Sequence, residues 1–263
     1  MQDNILSSGY DAVFAATPGS PTLRRLWAER ALGPDFPPEF AHISFVTLPQ
    51  LRRMAEELRL TPDQTLVDLG CGLGGPALWM ANESGASLIG VDLSPVAVEL
   101  ATSRAVQLGL SSRTQFVHGT FAETGLESQS VHAAMSEDAL QYAPDKLAAM
   151  MEISRILQTG GRFVFTAFEL DPDRAAGLPI LGEDPVSDYS EPLEHAGFLV
   201  DRYEEAPGWP EPMTTVYQSL LNAKEALIAE MGDLAVNALF AELTITLERR
   251  PYHRRVFVSA TKA

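Results

Sequence analysis

The stretch LVDLGCGLGGP, Leu66 to Pro76, decides how the rest of the chain is read. An apolar run ending in an acid passes into four glycines within six residues, then a proline. Gly70, Gly72 and Gly75 keep the G-x-G-x-x-G spacing of a strand-to-helix turn, where glycine lets the backbone approach a bound group and take positive φ. Alone, that spacing is equally the mark of a tight turn without a ligand. Two acids sharpen it. Asp92 closes the next apolar run, 22 residues after Gly70, where a carboxylate accepts both ribose hydroxyls of an adenosine. Asp68 lies in the strand, two residues before the first glycine, and would set an anion beside the pyrophosphate of a dinucleotide. A cofactor with an ammonium there is welcome instead, so Asp68 argues against an NAD(P)-dependent oxidoreductase.

Outward from this turn, short apolar runs alternate with helical patterns, the signature of a parallel sheet covered on both faces. TLVDL is the first strand and SLIGVD (87–92) the second; RTQFVHG, SVHAAMS (130–136) and FVFTAF follow. Helices are predicted over Pro76–Asn82, from Ser94-Pro95 to about Leu108, and over DKLAAMMEISRIL, with QTGGR as the turn into the fifth strand. After a Pro- and Asp-rich connection (171–188), EPLEHAGF reads as a short helix, FLVDRYEE as a sixth strand and RRVFVSAT as the last. The expected fold is α/β: a three-layer αβα sandwich around a seven-stranded, mostly parallel sheet. About 45 residues of helical periodicity lie between the last two strands, too long for a hairpin loop, and read as a lid or an oligomerisation element. The divisions are 1–60, an aromatic N-terminal helical cap; 61–205, the core; 206–250, the helical lid; and 251–263, the last strand.

Composition bounds the function. Nineteen basic residues against 35 acidic give a formal charge of −16, which repels phosphate backbones and anionic lipid, so nucleic acid and membrane partners are not expected. One cysteine excludes an intramolecular disulfide and a multi-thiolate metal site, and the five histidines lack metal-ligand spacing. No basic-then-apolar leader and no run of roughly 20 apolar residues is present, so a cytoplasmic protein is expected.

VDLGCGLGGP, GVDLSPVAVELA, SVHAAMSEDAL and LQTGGRFVF together resemble, in order and spacing, the motifs of the class I S-adenosylmethionine-dependent methyltransferases. The likeness covers roughly residues 60–205, and RRVFVSAT fits that family's antiparallel last strand. The GCGxGGP form, SSGYDAVF near the start and the helical insertion are similar to the branch acting on quinones, sterol-like compounds and secondary metabolites. The resemblance implies S-adenosylmethionine as cofactor and S-adenosylhomocysteine as product. It places Gly70, Cys71 and Gly72 along the methionine part, Asp68 at its amino group, Asp92 at the ribose and Leu93 on the adenine face. Thr120 and Phe121 would flank the adenine edge, Ser136 the methionine moiety, and Tyr10 would fold over the cofactor. The pattern departs where an acid often binds the adenine amine, since Gly119-Thr120 stands there, and where Thr159 replaces the proline of the turn.

Methyl transfer from a sulfonium needs alignment in a dry pocket, and a base only when the acceptor must lose a proton. Relatives often place a histidine after the fourth strand; here Gln141 and Tyr142 occupy that segment. Glu137, Asp138 and Tyr142 remain as candidates, with His42 of the cap able to swing into a lidded pocket. Glu137 and Asp138 read equally well as acids favoured at a helix N-terminus. Trp27, Phe40, Trp209, Met213 and Tyr217 would cover the open end of the sheet, implying a partly apolar small-molecule acceptor. A cofactor-binding relative turned to cyclisation or to a structural role is the alternative that the missing histidine keeps open.

Overall fold

The computed structural model describes residues 2–171, 173, 174, 176, 177 and 185–263, with side chains from residue 9 onward. Part of the 171–188 connection thus lies outside the described residues. The sheet has seven strands: β1 (Thr65–Leu69), β2 (Ser87–Asp92), β3 (Thr114–His118), β4 (Val131–Glu137), β5 (Leu157–Leu170), β6 (Phe198–Glu205) and β7 (His253–Lys262). Their order is β3-β2-β1-β4-β5-β7-β6, with β7 antiparallel to both neighbours and the remaining pairs parallel, as expected from the sequence. The fifth strand is longer than FVFTAF. The QTGGR turn lies inside it as an irregularity, with Leu157 opposite Val131 and the register resuming at Arg162 opposite Ala133.

Period-2 alternation divides the core between the sheet's two faces. Leu66, Leu88, Met135, Val164 and Phe257 face α3 (Leu48–Leu58), α4 (Gly75–Ser84) and α5 (Pro95–Gln107). Val67, Leu69, Ala134, Phe163, Phe165 and Val258 face α6 (Lys146–Ile156) and α7 (Ser190–His195). Local chemistry starts the helices where the sequence suggests. The Ser94 hydroxyl accepts from Ala97 N–H (3.1 Å), Asp145 from Ala148 N–H (2.8 Å), and Thr47 with Gln50 forms a capping box ahead of α3.

The N-terminal helices α1 (Gln2–Ala16) and α2 (Pro21–Trp27) pack directly on the insertion helices α8 (Pro210–Asn222), α9 (Lys224–Met231) and α10 (Asp233–Arg249). Val236, Leu239 and Leu243 of α10 join Val13, Leu23 and Trp27 in one core, so the insertion's apolar stripe is used within the chain. Glu230 of α9 fastens the two segments, accepting from Ser20 Oγ (2.5 Å) and from Thr22 Oγ1 (2.7 Å). Among the described residues no helix is long and apolar enough to cross a membrane.

Two contacts tie the 40–50 segment of the cap to the sheet and the glycine turn. Arg255 of β7, 1% exposed, donates from Nε and Nη2 to Asp138, just past β4, at 2.8 and 3.1 Å. Asp138 also accepts from Phe45 N–H of the cap (2.8 Å), and Gln50 Oε1 takes Arg255 Nη1 (3.2 Å). The second contact is at Gly75, where a Cβ would clash with the Phe40 carbonyl and meet that of Ala41 at 3.0 Å. Breaking one partner of a buried pair strands the other charge, so Arg255→Leu is expected to cost about 3–5 kcal/mol, read as a lower urea midpoint. Gly75→Ala is expected to loosen the 37–46 segment, seen as faster amide exchange there while β1 and β4 stay protected.

Candidate active site

The strand-to-helix turn is held by backbone bonds before any ligand is considered. Gly70 and Cys71 N–H both donate to Val91 O (2.8 and 3.1 Å), and Gly72 N–H donates to Asp92 Oδ2 (2.7 Å). Asp92 Oδ1 takes Ser94 N–H (2.9 Å), and the Ser94 hydroxyl bonds Asp11 of α1. Gly70, Gly72 and Gly74 all adopt positive φ. A Cβ on Gly70 would lie 2.6 Å from Ala139 Cβ and 3.0 Å from the Phe121 ring, so a side chain there is excluded. Phe14 of α1 stands over Gly72, and Tyr10, one turn earlier, stacks on Phe14 (6.1 Å) and meets Tyr142 edge-on (5.9 Å). Thr120 forms a local turn, its hydroxyl accepting from Glu123 N–H (2.9 Å), while Leu93 is 40% exposed at the cavity's edge. Ser136 is wholly buried and donates to Leu69 O (2.8 Å). Cys71 packs under Gly90, and burial pushes its thiol well above the ordinary range, so it is no nucleophile.

Asp68 and Glu137 close the floor of the turn. Both are buried and side by side at the ends of β1 and β4. Among the described residues neither Asp68 oxygen nor Glu137 Oε1 meets a donor from another group. The two carboxyls face each other at hydrogen-bonding range, which two buried carboxylates tolerate only by sharing a proton. Burial first, then the neighbouring charge of Asp92, pushes Asp68 up to about 8, and burial with Asp68 beside it holds Glu137 well above the usual carboxylate range.

The glycine turn opens into a cavity of about 960 Å³ that Tyr142 also lines. One side is the glycine turn; the other is aromatic, with Trp27, Phe45, Phe168 and Tyr217 at ring separations of 5.6–6.3 Å. Met213 joins this wall, whereas Phe40 and Trp209 are buried packing residues that do not line the cavity. His42 does not swing. Its ring is pinned edge-on against Phe36 (4.8 Å), and Nδ1 accepts from Ser44 N–H (3.1 Å), which leaves the proton on Nε2. Burial, with Arg104 nearby, lowers it to about 3, so His42 is a neutral donor and not a base. Gln141 is occupied in the loop, donating to Asp138 O (2.5 Å) and accepting from Phe168 N–H (3.4 Å). The Tyr142 hydroxyl donates to Glu242 Oε1 of α10 (2.8 Å); burial and that carboxylate hold the phenol well above its ordinary range, so Tyr142 too is a donor. Glu242, Arg249 and His253 line the cavity from more than 100 residues along the chain from Ala139, and no spacing signal marks them.

Residues 67–165 match the sequence pattern of the methyltransferase domain family. The chain is 26% identical over 223 residues to the 27-O-demethylrifamycin SV methyltransferase of Amycolatopsis mediterranei, covering 81% of this chain and 80% of the relative. Fungal sterol C-methyltransferases match over 110 residues of the core, 29% of their own length. In fold it is similar to the [4+2]-cyclase SpnF, with a TM-score of 0.76 at 22% identity, over 96% of this chain and 93% of that one. The methyltransferase domain at 67–165 and these likenesses together support an S-adenosylmethionine-dependent methyltransferase that acts on a small molecule.

The Asp68–Glu137 proton has a consequence for stability. A carboxyl that ionises near about 4 when unfolded but holds its proton to about 8 when folded adds stability that is complete below pH 4 and lost as pH rises to 8. Thermal melts of the ligand-free enzyme are therefore expected to fall from pH 5 to 8.5, and Asp68→Asn is expected to flatten that slope. An unchanged slope would place the proton elsewhere.

Proposed function

We propose that this enzyme transfers the methyl group of S-adenosylmethionine to a hydroxyl of a moderately large, partly apolar metabolite, a reaction of secondary metabolism. The observation that carries the reading is the 960 Å³ cavity with a glycine turn on one side and an aromatic wall on the other. It lies at the upper end of the roughly 300–1,000 Å³ usual for small-molecule sites, as a shared cofactor and acceptor space requires. The hydroxyl is supported by the O-methylation in the name of the rifamycin relative.

The residues present fit the cofactor. Asp68 and Glu137 together offer an ammonium two buried carboxyls that other donors have left alone, and the incoming cation would displace their shared proton. Gly70, Cys71 and Gly72 supply backbone along the methionine part, Asp92 keeps lone pairs for the ribose hydroxyls, and Leu93, Thr120 and Phe121 stand around the adenine. Ser136 acts one step back, fixing the β1 carbonyl behind the turn. Tyr10 covers the site from α1. Bound there, the cofactor supplies a methyl group activated by its sulfonium. The chain's own work is to orient the acceptor against the aromatic wall, to exclude water and to take up the proton. A cytoplasmic setting belongs to this reading, supported by the single, buried and protonated cysteine.

Two measurements test it. With methyl-labelled S-adenosylmethionine, a panel of phenolic polyketides, hydroxylated terpenes, sterols, free amino acids and small polar acids is expected to yield label in the first three groups. Labelling of the amino acids or polar acids alone overturns the acceptor class. Asp92→Ala is expected to weaken S-adenosylhomocysteine binding by about 1.5–3 kcal/mol, roughly ten- to hundredfold in Kd by calorimetry.

A further inference from the structure

A hydroxyl acceptor must give up a proton, yet the groups nearest the glycine turn cannot take it. With the cofactor bound, Glu137 and Asp68 are committed to its ammonium, Asp138 is held by the Arg255 guanidinium, and His42 carries its own proton on Nε2. Tyr142 is different, because its proton already points at a carboxylate. A phenol that donates to one partner keeps its oxygen lone pairs free to accept from another.

We propose that Glu242 is the general base of the reaction and that Tyr142 carries the acceptor's proton to it. The assignment rests on the O-methylation reading and on three observations. Tyr142 Oη lies 2.8 Å from Glu242 Oε1. Both side chains line the cavity between the glycine turn and the aromatic wall. Glu242 reaches them from the insertion, on a helix that packs against α1, whose Tyr10 ring meets Tyr142. The groups around the pair are Tyr10 of α1, Tyr217 of α8 and Asp138 beside β4 in its ion pair with Arg255, with Arg249 two turns further along α10.

The proton balance closes. As the acceptor oxygen bonds to the methyl carbon, the carbon–sulfur bond breaks and sulfur keeps the electron pair. The acceptor's proton passes to Tyr142 Oη while the phenolic proton passes to Glu242, which becomes a carboxylic acid and later returns the proton to water. Tyr142 is a phenol before and after, in keeping with its high resistance to ionisation. The base is therefore delivered by the same helix that closes the cavity, so proton uptake and exclusion of water coincide.

The test uses the hydroxyl compound of the panel that is turned over fastest. Glu242→Gln keeps an oxygen to accept from Tyr142 but cannot take its proton, and is expected to lower kcat by roughly 10²–10⁴-fold. Its acid limb in the kcat–pH profile should vanish, with S-adenosylhomocysteine Kd and Tm unchanged. Tyr142→Phe should lower kcat comparably, and Glu242→Asp should restore part of the loss. A Glu242→Gln enzyme within threefold of the parent, or one that retains the acid limb, overturns the relay while leaving O-methylation intact. Loss of cofactor binding in Glu242→Gln makes Glu242 structural and also overturns the relay. Nuclear magnetic resonance of the product showing the methyl on carbon or nitrogen overturns both readings.

Discussion

The active site depends on one buried ion pair that does no chemistry. Arg255 enters from β7, the last strand of the chain, and its guanidinium grips Asp138 just beyond β4. Asp138 sits at φ 52°, a left-handed conformation that a short polar side chain tolerates. That turn of the backbone sets Ala139 against Gly70 and starts the short 3-10 segment that presents Tyr142. The same carboxylate accepts from Phe45 of the cap, so the sheet, the loop after β4 and the cap share one anchor. Two charges taken out of water need such saturation of their hydrogen-bonding positions, and Gln50 completes it.

The glycine turn is likewise a surface with two sides. On the side where the cofactor is expected, Gly70 is packed against Ala139 and Phe121 and Gly72 faces Phe14. Gly75 has no positive φ, and its missing side chain instead admits the Phe40 and Ala41 carbonyls of the cap. Arg104 reinforces the docking by donating to the Glu39, Ala41 and Leu73 carbonyls. One motif thus serves cofactor approach and closure of the site, and the three glycines of the spacing do different work.

Proton placement follows the same division between buried and partly open ground. Deep in the floor, Asp68 and Glu137 form no ion pair among the described residues, and burial beside each other favours a proton held between them, which an ammonium could replace. Nearer the cavity, Tyr142 and Glu242 form a hydrogen bond between a phenol that resists ionisation and a carboxylate. His42, walled in by Phe36 and faced by Arg104, is kept neutral and outside this exchange.

Much of the molecule was legible in the amino-acid order because local rules govern it. Alternating apolar runs, the glycine turn, Asp92 at its strand end and the caps at Ser94 and Asp145 depend on near neighbours, and from them came the parallel core, while the antiparallel final strand and the cofactor came from the family resemblance that the motifs carry. QTGGR was legible as a turn but not as an irregularity inside β5, because register is decided across strands. Periodicity found the insertion helices without their partner: that α8 to α10 close on α1 and α2 follows from packing between segments more than 180 residues apart. For the same reason Glu242 carried no mark, a lone acid on a helix until folding set it against Tyr142. Sequence by itself determined what the protein binds, since adjacent residues build that half of the site. Only the tertiary structure decided where the acceptor's proton can go, because a hydrogen bond between distant segments exists only once the chain has folded.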